Sequence, residues 1–348
     1  MYYLLILIIL IFHFLWSEQT IREKAKYEKY FALLICFILV IMAAFRSDSV
    51  GADTSDYRLD YQTMNCFHSI HDIVDRYTYD YLGYYGLSKL FSLLGFPVEV
   101  WFGFVEALYL YALMRLINKY SKDKIFSLLV FTTIGLYSFS MAGLKQIMAM
   151  SFMMLAFLAM IEKRYWITVL LVFFTYYTHQ SALIFLGAFP LYYIKKIQWL
   201  VPISLLLCIL IYYFNIIFLQ AMVDFLGNER WENYLVTDSR YSYVTFIFYL
   251  VITLVSGLNI KRYHAVNPSF SNLFLALSIL GCGIQLLAGF SPSLFRLAYL
   301  YTPFMMILLP NVSYYSNNKM LIRGVLMACL IFYFLYTGRN SSYSFVGL

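Results

Sequence analysis

Apolar runs recur along the whole chain, each closed off by a short polar or basic cluster, and they are of helical rather than strand length. Twelve such runs predict helices: Tyr2 to Trp16, Tyr30 to Phe45, Val98 to Ile117, Ile125 to Ser140, Leu144 to Ile161, Trp166 to Thr178, Ser181 to Ile194, Leu200 to Leu219, Tyr243 to Leu258, Phe270 to Phe290, Leu294 to Leu309 and Leu321 to Tyr336. Several fall short of the roughly 20 residues that a straight crossing of a bilayer needs. The pattern therefore predicts an all-α, polytopic membrane bundle of 10–12 crossings, with some helices tilted, broken or only partly crossing.

The basic residues supply an independent check, because a wrong count would scatter them over both sides. Alternate connections collect sixteen of the 25, namely Arg22, Lys24, Lys26, Lys29, Arg115, Lys119, Lys122, Lys124, Lys163, Arg164, Lys195, Lys196, Lys261, Arg262, Lys319 and Arg323. These mark the cytoplasmic side and leave both termini facing out. Two longer extracytoplasmic loops follow, at about 46–97 and 220–242, both rich in acidic residues. The later part of the first, Tyr81 to Phe96, is amphipathic enough to lie along the interface or re-enter. Counting it as a crossing inverts the charge bias of everything downstream.

Composition agrees. Of 348 residues 62% are hydrophobic and only 12% charged, and the mean hydropathy is +0.73. Soluble domains of this length need far more surface charge. The net charge of +7 sits in the clusters between apolar runs, so it reads as topology and not as a nucleic-acid surface. The 34 Tyr and 32 Phe fit interfacial belts. Four of five cysteines, Cys36, Cys208, Cys282 and Cys329, lie in apolar runs, which excludes a disulfide framework, and Cys66 stands apart. Met1 to Trp16 has neither a basic start nor a small-residue cleavage site and is expected to be retained as the first crossing. No repeat or soluble appendage interrupts the pattern, so residues 1–348 read as a single transmembrane domain.

Four polar constellations interrupt the apolar background, all on the predicted outer side. In the first, Arg46, Gly51, Asp53, Thr54, Asp56 and Tyr57 crowd together where the second run emerges. Gly51 permits a tight turn, Asp53 can accept a proton, and Thr54 and Tyr57 can hydrogen-bond sugar hydroxyls. The same residue types serve in any polar loop with a helix cap. The second is Lys145 with Gln146. A Lys near the middle of a membrane helix costs about 2.5–3.5 kcal/mol, so it faces water, a carboxylate or an anionic ligand, or else snorkels at a helical hairpin. The third is His179, Gln180 and Ser181, where the imidazole is suited to take and return a proton, or serves as an interfacial hydrogen-bonding group. No nucleophile elbow accompanies it.

The fourth is Arg296, just past an outer turn, with Tyr299 three residues on. A guanidinium binds phosphate bidentately and also anchors at lipid headgroups. Arg230 and Arg240 in the second loop are further cations, flanked by Trp231, Tyr234, Tyr241 and Tyr243. Asp53 and Asp56 are spaced to hold a hard cation. Arg46, Lys145 and Arg296 already supply the charge a pyrophosphate needs, so neither a metal nor a cofactor is expected.

Taken in order, Phe45 and Arg46, then Val50, Gly51, Ala52, Asp53, Thr54 and Tyr57, then Lys145 and Gln146, then His179 to Ala182, then Arg296 and Tyr299, the chain resembles the EpsG family, relatives of the Wzy-type O-antigen and capsule polymerases. The Gly-x-Asp-Thr piece is the most distinctive. The family pattern has Arg-Gln where this chain has Lys145 and Gln146, which keeps the charge and loses the bidentate fork. The resemblance implies a GT-C-like helical bundle in a bacterial cytoplasmic membrane. It implies polymerisation, on the outer face, of polyprenyl-pyrophosphate-linked oligosaccharide repeat units, with release of polyprenyl pyrophosphate. His179 or Asp53 is the expected base, and Arg46, Lys145 and Arg296 the expected pyrophosphate ligands, with Gly51, Thr54, Tyr57, Gln146, Gln180 and Tyr299 shaping the substrate site. Membrane lipids, a chain-length regulator and a flippase are the implied partners, and nucleic acid is not one. A lipid-linked oligosaccharide flippase and an O-antigen-ligase-like glycosyltransferase fit the same composition. One-sided polar residues and the lack of a repeat favour the polymerase.

Overall fold

The computed structural model describes residues 6, 8–9, 21–77, 79–194, 197–214, 217, 243–288, 295–337 and 343–346. Nearly all of the run Tyr2 to Trp16 lies outside the described residues, as do Lys195, Lys196, Arg339 and the second acidic loop with Arg230, Trp231, Tyr234, Arg240 and Tyr241. Among the described residues every regular element is helical, and the one pairing outside helices is an isolated bridge between Arg46 and Phe345. The chain is an all-α polytopic membrane protein, and its contacts divide it into two compact units.

The first unit comprises residues 1–120, 124–183 and 334–348. Its helices are α1 (Ile21–Ala44), α2 (Thr54–Thr63), α3 (Ile70–Tyr77), α4 (Leu82–Leu93), α5 (Val98–Tyr120), α6 (Lys124–Thr133), α7 (Leu136–Ala142), α8 (Leu144–Ile161) and α9 (Tyr165–Thr178). α5 packs against α1 and α8, and α8 against α9. A Cβ on Gly103 would stand 3.2 Å from the Ala44 Cβ, so the last turn of α1 touches the first turns of α5. The start of α5, the start of α8 and the end of α9 share that end of the unit with Arg46. At the other end Glu162 gathers Lys119 at 2.8 Å, Arg164 at 3.5 Å and Arg115 at 3.7 Å. Exposed pairs of this kind stabilise by about 0–1 kcal/mol at most, so their value here is as a topological marker. Residues predicted to share the cytoplasmic side meet at one end of the unit, opposite the polar constellations.

The second unit comprises residues 121–123 and 184–333. It contains α10 (Ala188–Tyr193), α11 (Ile197–Tyr213), α12 (Val244–Asn259), α13 (Lys261–Val266), α14 (Pro268–Leu287), α15 (Phe295–Ala298), α16 (Met305–Tyr315) and α17 (Lys319–Thr337). α14 is the central helix, packed by α11, α12, α15 and α16. The predicted cytoplasmic connections again converge: Arg323 pairs with Asp123, the Lys122 amide donates to Asn311 at 2.8 Å, and Asn311 donates to the Tyr263 hydroxyl at 3.0 Å.

Among the described residues five helices are long and apolar enough to cross a bilayer, and a sixth span results if the bent pair α6 and α7 counts as one. That is fewer than the 10–12 runs read from the sequence, for three reasons. The first run lies outside the described residues. Three other runs appear as shorter apolar helices, Tyr165–Thr178, Val201–Leu210 and Val244–Asn259. The rest are broken: α6 and α7 meet at 56° around Gly135, whose φ is +89°, a value glycine adopts freely. Ser181 to Ile194 is a 3-10 helix, Gln180–Gly187, followed by α10. Leu294 to Leu309 is α15, a 3-10 turn Thr302–Phe304 and α16, with Pro303 removing a donor at the joint.

Candidate active site

The site is built on the turn between α1 and α2. Gly51 has φ +88°, and a Cβ there would lie 2.7 Å from the Met141 carbonyl oxygen and 2.8 Å from Thr54 Oγ1. Only glycine lets the turn close this tightly onto the end of α7. Thr54 Oγ1 donates to the Val50 carbonyl at 2.5 Å and accepts from Arg46 Nε at 3.1 Å. The Arg46 guanidinium is fully buried, lies 4.3 Å from the Phe102 ring centre and also donates to the Ala43 carbonyl. Arg46 therefore holds the turn from beneath, and its charge lies inside the protein rather than at the surface of the site. Glu106 of α5 is also fully buried and near enough for its charge to act on Arg46, although among the described residues no ion pair joins the two.

Docking of the turn on the end of α7 brings α2 over the first turn of α8, which carries Lys145. Three tyrosine rings surround the Lys145 ammonium: Tyr85 at 4.6 Å, Tyr81 at 4.8 Å and Tyr57 at 5.5 Å to their centres. Each face contributes about 0.5–2 kcal/mol. Lys145 is the second residue of α8 and not near the middle of a membrane helix as the sequence suggests, so the three faces need offset only the smaller cost of a partly buried cation at a helix start. The cage is itself fixed from the acidic loop, because Asp60 accepts from the hydroxyls of Tyr85 at 2.7 Å and Tyr77 at 3.0 Å, whose rings stack 3.7 Å apart. Burial first, and then the Asp60 carboxylate, push the Tyr85 hydroxyl well above the ordinary phenol range, so it stays a donor.

His179 caps the C-terminus of α9 in an extended conformation that ends the helix. Its ring meets Tyr81 edge-on at 5.5 Å, and its Nδ1 lies 3.2 Å from Ser181 Oγ. A Cβ on Gly83 would stand 2.9 Å from Thr178 Oγ1 and 3.0 Å from the Tyr177 carbonyl, which is how α4 comes so near the end of α9. Asp53, partly exposed, is the residue before α2. Gln146 is buried behind Lys145 and Gln180 is half-buried beside His179.

Arg46, Gly51, Asp53, Thr54, Tyr57, Lys145, Gln146, His179 and Gln180 thus all belong to the first unit, and the contacts above join most of them directly. Arg296 and Tyr299 belong to the second, on α15 and just after it; the Tyr299 ring packs edge-on against Phe295 at 5.4 Å. The sequence reading passed over Tyr81 and Tyr85, which sit in a segment read only as amphipathic, and Glu106. For Glu106 a signal existed: it is a carboxylate in the interior of the run Val98 to Ile117, whose other acid, Glu99, stands at the very start.

Comparison with protein-family models returns the EpsG family over residues 29–346, nearly the whole chain. No curated protein and no solved structure matches.

Proposed function

The chain belongs to the EpsG family of Wzy-like polymerases, and we propose that it joins polyprenyl-pyrophosphate-linked oligosaccharide repeat units on the outer face of a bacterial cytoplasmic membrane. The observation that carries this reading is the junction at Tyr81, whose ring is shared by the Lys145 ammonium and the His179 imidazole. A cation for a leaving pyrophosphate and a proton acceptor for an attacking hydroxyl are held by one side chain.

In the reaction, the terminal hydroxyl of one lipid-linked repeat unit attacks the anomeric carbon of the growing chain. A new glycosidic bond forms, the bond from that carbon to the diphosphate oxygen breaks, and polyprenyl pyrophosphate leaves with the electron pair. The hydroxyl proton passes to His179 or to Asp53, the two bases within reach of α2 and α9. Lys145 meets the charge that develops on the leaving oxygen, which is the largest catalytic contribution in such a site. Arg46 is a positioning residue in this scheme, fixing the Gly51 turn so that Thr54 and Tyr57 frame the pocket. Arg296 and Tyr299, which belong to the second unit, stay in this proposal as substrate-binding candidates on the strength of their residue types and order in the sequence. A flippase supplies the repeat units to this face, and a chain-length regulator acts on the product.

The test uses the full chain in nanodiscs with a synthetic polyprenyl-pyrophosphate repeat unit and a chelator. A ladder of products with released polyprenyl pyrophosphate is expected. Binding of that substrate with no ladder would point to a transporter, or to a ligase that needs another acceptor.

A further inference from the structure

α2 presents two faces. Thr54, Tyr57, Tyr61 and, in the 3-10 turn that continues it (Met64–Cys66), Met64 are buried, Tyr57 against Lys145 and Tyr61 reaching the Phe96 carbonyl. Arg58, Gln62 and Asn65, spaced i, i+4 and i+7, form a second stripe. That stripe lines one wall of a cavity of about 510 Å³, whose other wall is the loop from Ser92 to Glu99. The volume falls in the range of small-molecule sites, about 300–1,000 Å³.

The lining chemistry is specific. Arg58 is locked by Asp48 and Glu99, each at 2.7 Å. Burial lowers its affinity for the proton, and the hydrogen bonds with Glu99 and Asp48 more than restore it, so the guanidinium stays charged and neutralised by its own two carboxylates. An anion finds no spare positive charge here. What remains is two planar amides and one carboxylate oxygen: the exposed Gln62 amide, the Asn65 amide, whose oxygen accepts from Ser92 at 2.8 Å and whose nitrogen is left to donate, and the Glu99 oxygen not committed to Arg58. The aromatic part is Phe96, exposed and backed by Phe91 at 5.7 Å, and its carbonyl takes the Tyr61 hydroxyl at 2.7 Å, which ties the loop to α2. Paired donors and acceptors fit vicinal hydroxyls, and a ring face fits the C–H side of a sugar.

We propose that the cavity bounded by Arg58, Tyr61, Gln62, Asn65, Phe96 and Glu99 is a saccharide-binding subsite, distinct from the Lys145 site, that holds sugar residues of the chain being extended. This rests on the polymerase reading for the identity of its ligand. The two sites share one helix, with Tyr57 at the Lys145 cage and Arg58 beside it at the cavity. A subsite of this kind gives the enzyme a grip on the polymer that lasts through release of polyprenyl pyrophosphate.

The experiment uses the full chain in nanodiscs and lipid-free oligosaccharides of one to six repeat units, cut from the polymer of the producing strain and carrying a diazirine at the reducing end or on one hydroxyl. Photolabelling of wild-type protein is expected on peptides containing residues 58–65 or 92–99, competed by unmodified oligosaccharide. Affinity is expected to fall at least about tenfold in Gln62→Ala with Asn65→Ala, the loss of two hydrogen-bonding amides. Gln62→Trp, which fills the cavity from an exposed helical position, is expected to abolish the labelling. Competable labelling confined to other peptides, or no binding of any length to a protein that polymerises the lipid-linked substrate, overturns the subsite. Labelling at the cavity in a protein that binds the lipid-linked substrate without extending it would sink the polymerase reading and leave the subsite standing. Equal labelling by an unrelated acidic peptide would overturn its assignment to saccharide.

Discussion

The ring of Tyr81 meets the His179 imidazole edge-on at 5.5 Å while its face lies 4.8 Å from the Lys145 ammonium. One aromatic ring therefore touches both the cation and the base. Tyr81→Phe is expected to keep polymer output within about threefold of wild type, and Tyr81→Ala to lower it by tenfold or more, the size of one or two lost aromatic contacts. Equal loss in both variants would shift the role to the phenol oxygen. Initial rates of ladder formation measure the difference.

Lys145 carries the charge proposed to meet the leaving pyrophosphate. Removing one electrostatic contact of this kind costs about 100- to 1,000-fold in rate, and that is the expectation for Lys145→Ala. Lys145→Arg is expected to work at least as well as wild type, because a guanidinium stacks on the same three rings and adds a bidentate fork. An inactive Arg variant that folds normally would mean that the ammonium's size, and not its charge, is what the cage selects.

Arg46 and Glu106 are both fully buried, and each feels the other's charge without an ion pair between them among the described residues. Removing one of two such buried groups is expected to destabilise by about 1–3 kcal/mol, because the other is left in a buried site shaped for its neighbour. Arg46→Gln and Glu106→Gln are each expected to lower the apparent melting temperature and the yield of folded protein in detergent. The double variant is expected to recover part of both losses. Strictly additive losses would show that the two groups do not act as a pair.

Gly51 is the position where local backbone and packing make the same demand. Alanine there meets a φ of +88° and places a Cβ 2.7 Å from the Met141 carbonyl oxygen. Either conflict alone costs on the order of 1–3 kcal/mol. Gly51→Ala is expected to destabilise the protein and to abolish polymerisation even in the fraction that folds, since Thr54 and Tyr57 move with the turn. Activity retained in the folded fraction would remove the turn from the site.

Much of this was legible from residue order alone, and what was not has a physical reason. Val98 and Leu144 start helices where the apolar pattern puts them, and Leu144–Ile161 matches its predicted run end to end. Apolar runs report affinity for lipid and not helix continuity, so the breaks at Gly135 and Gly187 were invisible. Gly51, Thr54, Lys145 and His179 stood out because glycine, charge and imidazole are conspicuous against an apolar background. Tyr81 and Tyr85 did not, because in a chain with 34 tyrosines the meaning of any one comes from its contacts with residues far away in sequence. Burial of Arg46 was equally hidden: a cation at the end of a crossing looks the same whether it points into a site or beneath one.

Cys66 offers a direct check on which side of the membrane the site faces. It is exposed, whereas Cys36, Cys208 and Cys329 are only partly accessible and Cys282 is buried. It also closes the 3-10 turn that follows α2, at the same end of the unit as Lys145 and His179. If the first loop is extracytoplasmic, a membrane-impermeant maleimide added to spheroplasts labels the protein, and Cys66→Ser removes most of the label. Placed in a Cys66→Ser background, Arg164→Cys lies beside Glu162 at the opposite end and is expected to be labelled only after permeabilisation. The reverse pattern would turn the protein over. Lys145 and the saccharide cavity would then face the cytoplasm, where a newly made repeat unit is first available, and a polymerase working on flipped substrate would no longer fit.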